Sequence, residues 1–138
     1  MSQTQPLDEY TIRRTLGLYD IASEQLRVVP LRQGDDNLTV LVSVRAGRYV
    51  LRLYRITPPA EIPFEMELVD FLTGRGFPTP RAHRPANGEF LVDVNGAPAV
   101  LFDCAEGHPI NETDPGDVGR IAALFARMHV LTSGATFP

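Results

Sequence analysis

The sequence predicts an α+β fold: a five- to six-stranded, mostly antiparallel sheet with a helix packed on it, followed by a linker and one more helix. Three observations predict it. Short runs rich in valine, leucine and tyrosine alternate with turns built from glycine and asparagine. Pro58-Pro59 interrupts that pattern ahead of a stretch whose apolar residues recur at helical spacing. Glu106-Gly107-His108-Pro109 then ends the strand pattern before a long amphipathic segment.

Taken in order, Leu7, Tyr10, Ile12 and Leu16 predict a first helix with Asp8 and Glu9 in its opening turn and Gly17 as its stop. Residues 26–31, 38–44 and 49–56 read as an antiparallel meander, with turns at Gly34-Asp35-Asp36-Asn37 and Ala46-Gly47-Arg48. A helix is expected over 60–74, closed by Gly74 and Gly76 before Pro78. Residues 81–84, 89–94 and 97–102 read as short strands, with Asn87-Gly88 and Asn95-Gly96 as hairpin turns. Asp114 as N-cap and Pro115 at the first helical position open the last helix. Its residues Val118, Ile121, Ala122, Leu124, Phe125, Met128 and Leu131 predict a wide buried stripe, capped by Gly134.

With 138 residues the chain suffices for one hydrophobic core, and 43% hydrophobic with 22% charged residues places it among ordinary globular proteins. A net charge of -4 offers no basic stripe, so nucleic acid is not an expected partner. No apolar run is long enough to span a bilayer, so no membrane partner is expected, and the first eight residues lack a signal-peptide pattern; a cytoplasmic location is the expectation. The single cysteine, Cys104, reads as a small core residue.

Two side chains stand out chemically. On the third strand Val50, Arg52 and Tyr54 share one face and Leu51 and Leu53 the other, which sets a cation among apolar neighbours. An arginine lying over apolar surface would explain that residue alone. On the following helix, at about 100° per residue, Glu65 falls in the middle of the arc made by Ile62, Phe64, Leu68, Val69 and Leu72, with Glu67 and Asp70 on the polar side. A carboxylate in an apolar stripe needs a cation or donors, so Arg52 is its expected partner. A strand cation paired with a helix glutamate is how kinases hold the phosphates of ATP, although a purely structural ion pair has the same appearance. The Gln33–Thr39 turn could add backbone amides over a phosphate, with Asp35 and Asp36 turned to solvent, but a plain hairpin also contains one glycine.

The glycine turn, the strand Tyr49-Val50-Leu51-Arg52-Leu53-Tyr54-Arg55, the helix with Phe64-Glu65-Met66-Glu67-Leu68 and the segment Gly76-Phe77-Pro78-Thr79-Pro80-Arg81 occur in an order that resembles the aminoglycoside phosphotransferase family, which includes choline kinases and one type of homoserine kinase. The likeness runs from about Gln25 to His129 and takes in Leu101-Phe102-Asp103-Cys104-Ala105-Glu106-Gly107 as a hinge and Ala126-Arg127-Met128-His129 in the last helix.

The resemblance implies a kinase-like N-terminal lobe over 25–106, preceded by a helical segment at 1–24 and followed at 107–138 by a linker and the first helix of a truncated C-terminal lobe. It places Gly34 and Asn37 in a phosphate-covering loop, Arg52 where the family has lysine or arginine, and Glu65 as its helix partner. Backbone at Asp103 and Ala105 would bind the adenine of ATP, with Phe102 limiting the pocket's depth. Arginine keeps the charge of lysine but is bulkier and need not reproduce its geometry.

The family's catalytic aspartate loop of His-Gly-Asp type and its metal-binding aspartate do not occur in these residues, so the resemblance puts Mg²⁺ ligands outside this chain and leaves the chain by itself inactive. His83, His108 and His129 lack metal-site clustering, and His129 reads as structural. The expected partners are ATP, a small-molecule hydroxyl acceptor and the missing lobe, with self-association through the last helix as a further use of its stripe. The alternatives are a complete non-catalytic module that binds a ligand or protein, and a pseudokinase lobe.

Overall fold

A computed structural model of the protein describes residues 7–31 and 37–136. Its elements are α1 (Glu9–Leu18), β1 (Arg27–Pro30), β2 (Asn37–Val44), β3 (Gly47–Tyr54), α2 (Ile62–Gly74), β4 (Val92–Val94), β5 (Ala97–Asp103) and α3 (Pro115–Thr132). The five strands form one antiparallel sheet in the order β1-β2-β3-β5-β4. The β2–β3 turn falls at Arg45-Ala46, slightly ahead of the expected Ala46-Gly47-Arg48, so that Val44 pairs with Gly47 and Asn37 with Tyr54. At the β4–β5 turn Asn95 and Gly96 both take positive φ, 53° and 84°, as an Asn-Gly hairpin requires.

Two expected strands are smaller than the sequence suggested. Residues 81–84 form only one isolated bridge, Ala82 to Phe102, because Pro80 and Pro85 confine the segment and β4 already holds the other half of the same β5 edge. Only Val92–Val94 of the expected 89–94 strand pairs, so Asn87-Gly88 is a loop turn and not a hairpin.

Side-chain alternation divides the molecule into layers. Leu51 and Leu53 of β3, Val40 and Val42 of β2 and Leu101 of β5 meet Ile12, Leu16 and Tyr19 from α1 and its C-cap on one face. Tyr54, Val100 and Phe102 meet Ile62 and Met66 of α2, together with Ala82 and Phe90, on the other. Asp8 caps α1, its Oδ1 accepting from Thr11 N at 2.7 Å. Gly76, at φ 71°, closes α2 as Phe77 N donates to Leu72 O and Gly76 N to Thr73 O. That turn sends Pro78-Thr79-Pro80 back across the sheet.

The last helix departs from its expectation. Asp114 caps α3 by accepting from Gly116 N at 2.9 Å, with Pro115 at the helix start, as the sequence indicates. The apolar stripe is not buried, however: Val118 is 45% and Phe125 56% exposed, Ile121, Leu124, Met128 and Leu131 are half-buried, and the only buried residue of the helix is Asp117. α3 projects from the sheet, and Arg127 reaches back to Gly76 O at 3.3 Å and over the Phe77 ring. His129, expected to be structural, lies exposed near the end of α3. Among the described residues no helix is long and apolar enough to cross a membrane.

Because α1 shares a core with the central strands, Leu16→Ala is expected to destabilise the protein by about 2–5 kcal/mol in denaturant unfolding, as cavities in tight cores do; a loss below about 1 kcal/mol would detach α1 from the core. Burial, opposed by backbone near Leu101, pushes the Tyr19 phenol up to about 12. Its folded pKa lies above the unfolded value, so its contribution is complete below about pH 10 and is lost as pH rises toward 12. The alkaline slope of stability should accordingly shrink in Tyr19→Phe.

Candidate functional site

The sheet face turned toward α2 continues past that helix as an open groove. Val50 and Arg52 from β3, Thr39 and Leu41 from β2, and Phe102 from β5 form its floor. Val69, Thr79 and Pro80 close one side, and the hinge from Asp103 to Ala105, with Gly107 and Pro109, closes the end. The cavity measures about 660 Å³, within the range that holds drug-sized ligands. Apolar walls with a cation at one end and free backbone at the other suit a flat, amphipathic ligand carrying negative charge.

The hinge is built by hydrogen bonds that use some groups and leave others. Asp103 N donates to Arg81 O at 2.9 Å and Cys104 N to Arg48 O at 3.4 Å, so the amide of Asp103 is committed and only its carbonyl could face a ligand. Ala105 N makes no hydrogen bond among the described residues. Behind the hinge the Asp103 carboxylate accepts from His83 Nε2 at 2.5 Å and lies 3.5 Å from Arg81 Nε, while the Tyr49 ring meets His83 edge-on. Sequence reading missed this cluster, since twenty residues separate His83 from Asp103 and no spacing rule joins them. Cys104, expected in the core, is half-buried in the groove wall because the strand ends there.

At the other end the expected direct pair is not formed. No ion pair within 4 Å joins Arg52 to Glu65. The Arg52 guanidinium instead lies 5.4 Å from the Phe102 ring centroid, at the groove wall. Both side chains act on the Tyr54 phenol, which is 3% exposed and makes no hydrogen bond of standard geometry. Burial raises its pKa first, the Glu65 carboxylate raises it further, and Arg52 opposes. Glu65 does sit half-buried on the α2 face with Ile62 and Val69, as its position in the stripe indicated, but Phe64 of the same expected arc is 54% exposed. Glu67 and Asp70 occupy the polar side and are met there by Arg84, at 3.6 and 3.2 Å.

Asn37 begins β2 directly opposite Tyr54, and its Oδ1 is buried with no partner among the described residues. Gly34, Asp35 and Asp36 lie outside the described residues. Among the described residues no group of three or more His, Cys, Asp or Glu converges, so no side chain here is assigned to a metal.

A five-stranded antiparallel sheet flanked by a helix, a hinge and a groove between them is the N-terminal lobe of a kinase-like fold. The chain belongs to the phosphotransferase enzyme family, whose profile matches residues 27–137. It is 33% identical over 119 residues to a homoserine kinase of Methylobacillus glycogenes, covering 86% of this chain and 36% of that one. It is 31% identical over 135 residues to a homoserine kinase of Pseudomonas aeruginosa, covering 97% and 42%. Among solved structures it is similar to a microcompartment-associated aminopropanol kinase, with TM-score 0.73, 22% identity and coverage of 95% and 42%. It is likewise similar to an amicoumacin kinase in complex with AMP-PNP, Ca²⁺ and Ami, with TM-score 0.71, 20% identity and coverage of 94% and 41%. The chain thus spans about two fifths of the length of the relatives it matches.

Where the linker meets α3, Asn111 N donates to Asp117 Oδ2 at 2.8 Å and Arg120 donates to Oδ1. These bonds, that from Asn111 foremost, hold the Asp117 carboxyl below its usual range. The depressed pKa means the junction is at full strength above the unfolded value near 3.9 and weakens as pH falls through the folded one. In Asp117→Ala the Asn111 amide should lose its protection from hydrogen exchange at neutral pH, with β3 amides unaffected.

Proposed function

We propose that this chain is the ATP-binding lobe of a small-molecule phosphotransferase, which moves the γ-phosphoryl of ATP to a hydroxyl of a small metabolite or drug. The observation that carries this reading is the groove itself, in which an unbonded Ala105 amide at the hinge and the Arg52 guanidinium bound one continuous apolar slot. Adenine would lie against Val50, Leu41 and Phe102, accept from Ala105 N and donate to Asp103 O. Phe102 limits the slot's depth, and Arg52 meets the phosphates, with Glu65 on the α2 side and Asn37 at the start of β2.

The relatives named homoserine kinase and the aminopropanol kinase fold neighbour favour an amino alcohol as the acceptor. Bound Mg²⁺ would neutralise charge on the transferring phosphoryl; by the family resemblance, its ligands and the catalytic aspartate would come from a C-terminal lobe. By the same reading the chain alone has no transfer activity, and a second lobe covers the apolar side of α3.

Calorimetric titration with Mg·ATP, with ADP and adenosine alongside, tests this. Saturable Mg·ATP binding that drops about ten- to hundredfold in Arg52→Ala is the expected result, since a charge-assisted contact contributes about 1.5–3 kcal/mol. Adenosine affinity should be unchanged by that substitution. Absence of saturable nucleotide binding in the folded chain would turn the assignment toward a module with another ligand.

A further inference from the structure

Asp103 is the last residue of β5 and the last to pair with β3, opposite Tyr49. That register turns its carboxylate to the sheet face away from the groove, while the residue still lines the groove's end. Asp103 N donates to Arg81 O at 2.9 Å, but on the next residue Cys104 N reaches Arg48 O only at 3.4 Å, longer than such bonds usually are. One firm bond on the nitrogen would let the strand end pivot. The carboxylate supplies a second hold: it accepts from His83 Nε2 at 2.5 Å, and the imidazole, 18% exposed, is met edge-on by the Tyr49 ring. Arg81 is the lesser partner, because its side chain is 59% exposed and stands 3.5 Å from the other oxygen. Residues 81–83 have their own backbone bonds to β5, His83 N to Leu101 O at 2.8 Å among them, so the imidazole is not required to keep that segment in place.

We propose that His83 is a positioning residue for the adenine end of the groove: by holding the Asp103 carboxylate from behind, it sets the direction of the Asp103 carbonyl and of the Ala105 amide that follows. This inference rests on the nucleotide-binding reading and adds to it the side chain that aims the hinge. With its nitrogen and its side chain both tied, the tetrahedral Cα of Asp103 leaves the carbonyl carbon one direction to take. Adenine presents an amino donor beside a ring acceptor, and it meets a carbonyl and an amide together only when their spacing is fixed. His83 does not line the groove, so its effect on a ligand passes through Asp103. The donor is a single N–H, which the neutral ring supplies and a glutamine amide can replace.

The test compares the full chain with His83→Ala, His83→Gln and Asp103→Ala by thermal unfolding and by titration with adenosine and with Mg·tripolyphosphate. Folded His83→Ala should bind adenosine about five- to tenfold more weakly, the effect of one lost hydrogen bond, and tripolyphosphate as wild type does. His83→Gln should recover most of the adenosine affinity. Asp103→Ala should match His83→Ala, and the double variant should lose no more than either alone, since all three remove the same contact. Asp103→Ala carries the comparison if His83→Ala does not fold, and failure of both to fold overturns the proposal. Equal losses for adenosine and tripolyphosphate, or no recovery in His83→Gln, mark a merely structural side chain and also overturn it. Unchanged adenosine affinity in folded His83→Ala overturns it while leaving the nucleotide reading intact. A folded wild type that binds neither probe overturns both.

Discussion

The two-residue alternation of β3 is the constraint on which the rest of the molecule depends. Its odd-numbered leucines, Leu51 and Leu53, are committed to the core that α1 completes, so Val50, Arg52 and Tyr54 have no choice but to face α2 and the groove. A one-residue slip in the pairing with β2 or β5 would place an arginine in the sealed core and two leucines in the slot, at a cost the fold could not absorb. Register on both sides of β3 is therefore pinned by the same pattern that presents the cation.

The groove's other boundary depends on how β5 is shared. β4 pairs with Ala97, Pro98 and Ala99, and the segment around Ala82 takes the far half of the same edge near Phe102. Beyond Cys104, whose amide still donates to Arg48 O, the chain leaves the sheet with the Ala105 amide unclaimed among the described residues, and an extended segment with free backbone groups is what a flat heterocycle can bind. The Asp103–His83–Arg81 contacts hold that exit from behind, so the hinge is fixed by side chains that point away from the ligand it would serve.

Much of this was legible in the sequence, for identifiable reasons. Alternation in β3, the Asn95-Gly96 turn and the Asp114-Pro115 helix start are local signals, and each appears as read. The family likeness, carried by the segment after α2 and by the hinge, matches the comparison with the phosphotransferases. Legibility failed where distant elements decide the outcome. Residues 81–84 have strand-like composition, but β4 already holds part of their edge and leaves them a single bridge. The α3 stripe has a core-like pattern, yet among the described residues its members are at most half-buried. The Arg52–Glu65 pair was inferred from charge and burial alone, and neither reveals that the guanidinium lies at the Phe102 ring instead. His83 and Asp103 meet only because the sheet brings them together.

Assignment of backbone amides by ¹⁵N–¹H correlation spectroscopy, followed by titration with Mg·ATP, tests the central claim most directly. The account predicts that shifts converge on one line, from Asn37 and Arg52 through Val50 and Phe102 to Ala105, with the Ala105 amide among the largest. Shifts confined to the opposite side, in the hollow lined by Leu18, Asn87 and Val92, would contradict it, as would shifts spread evenly over the exposed face of α3.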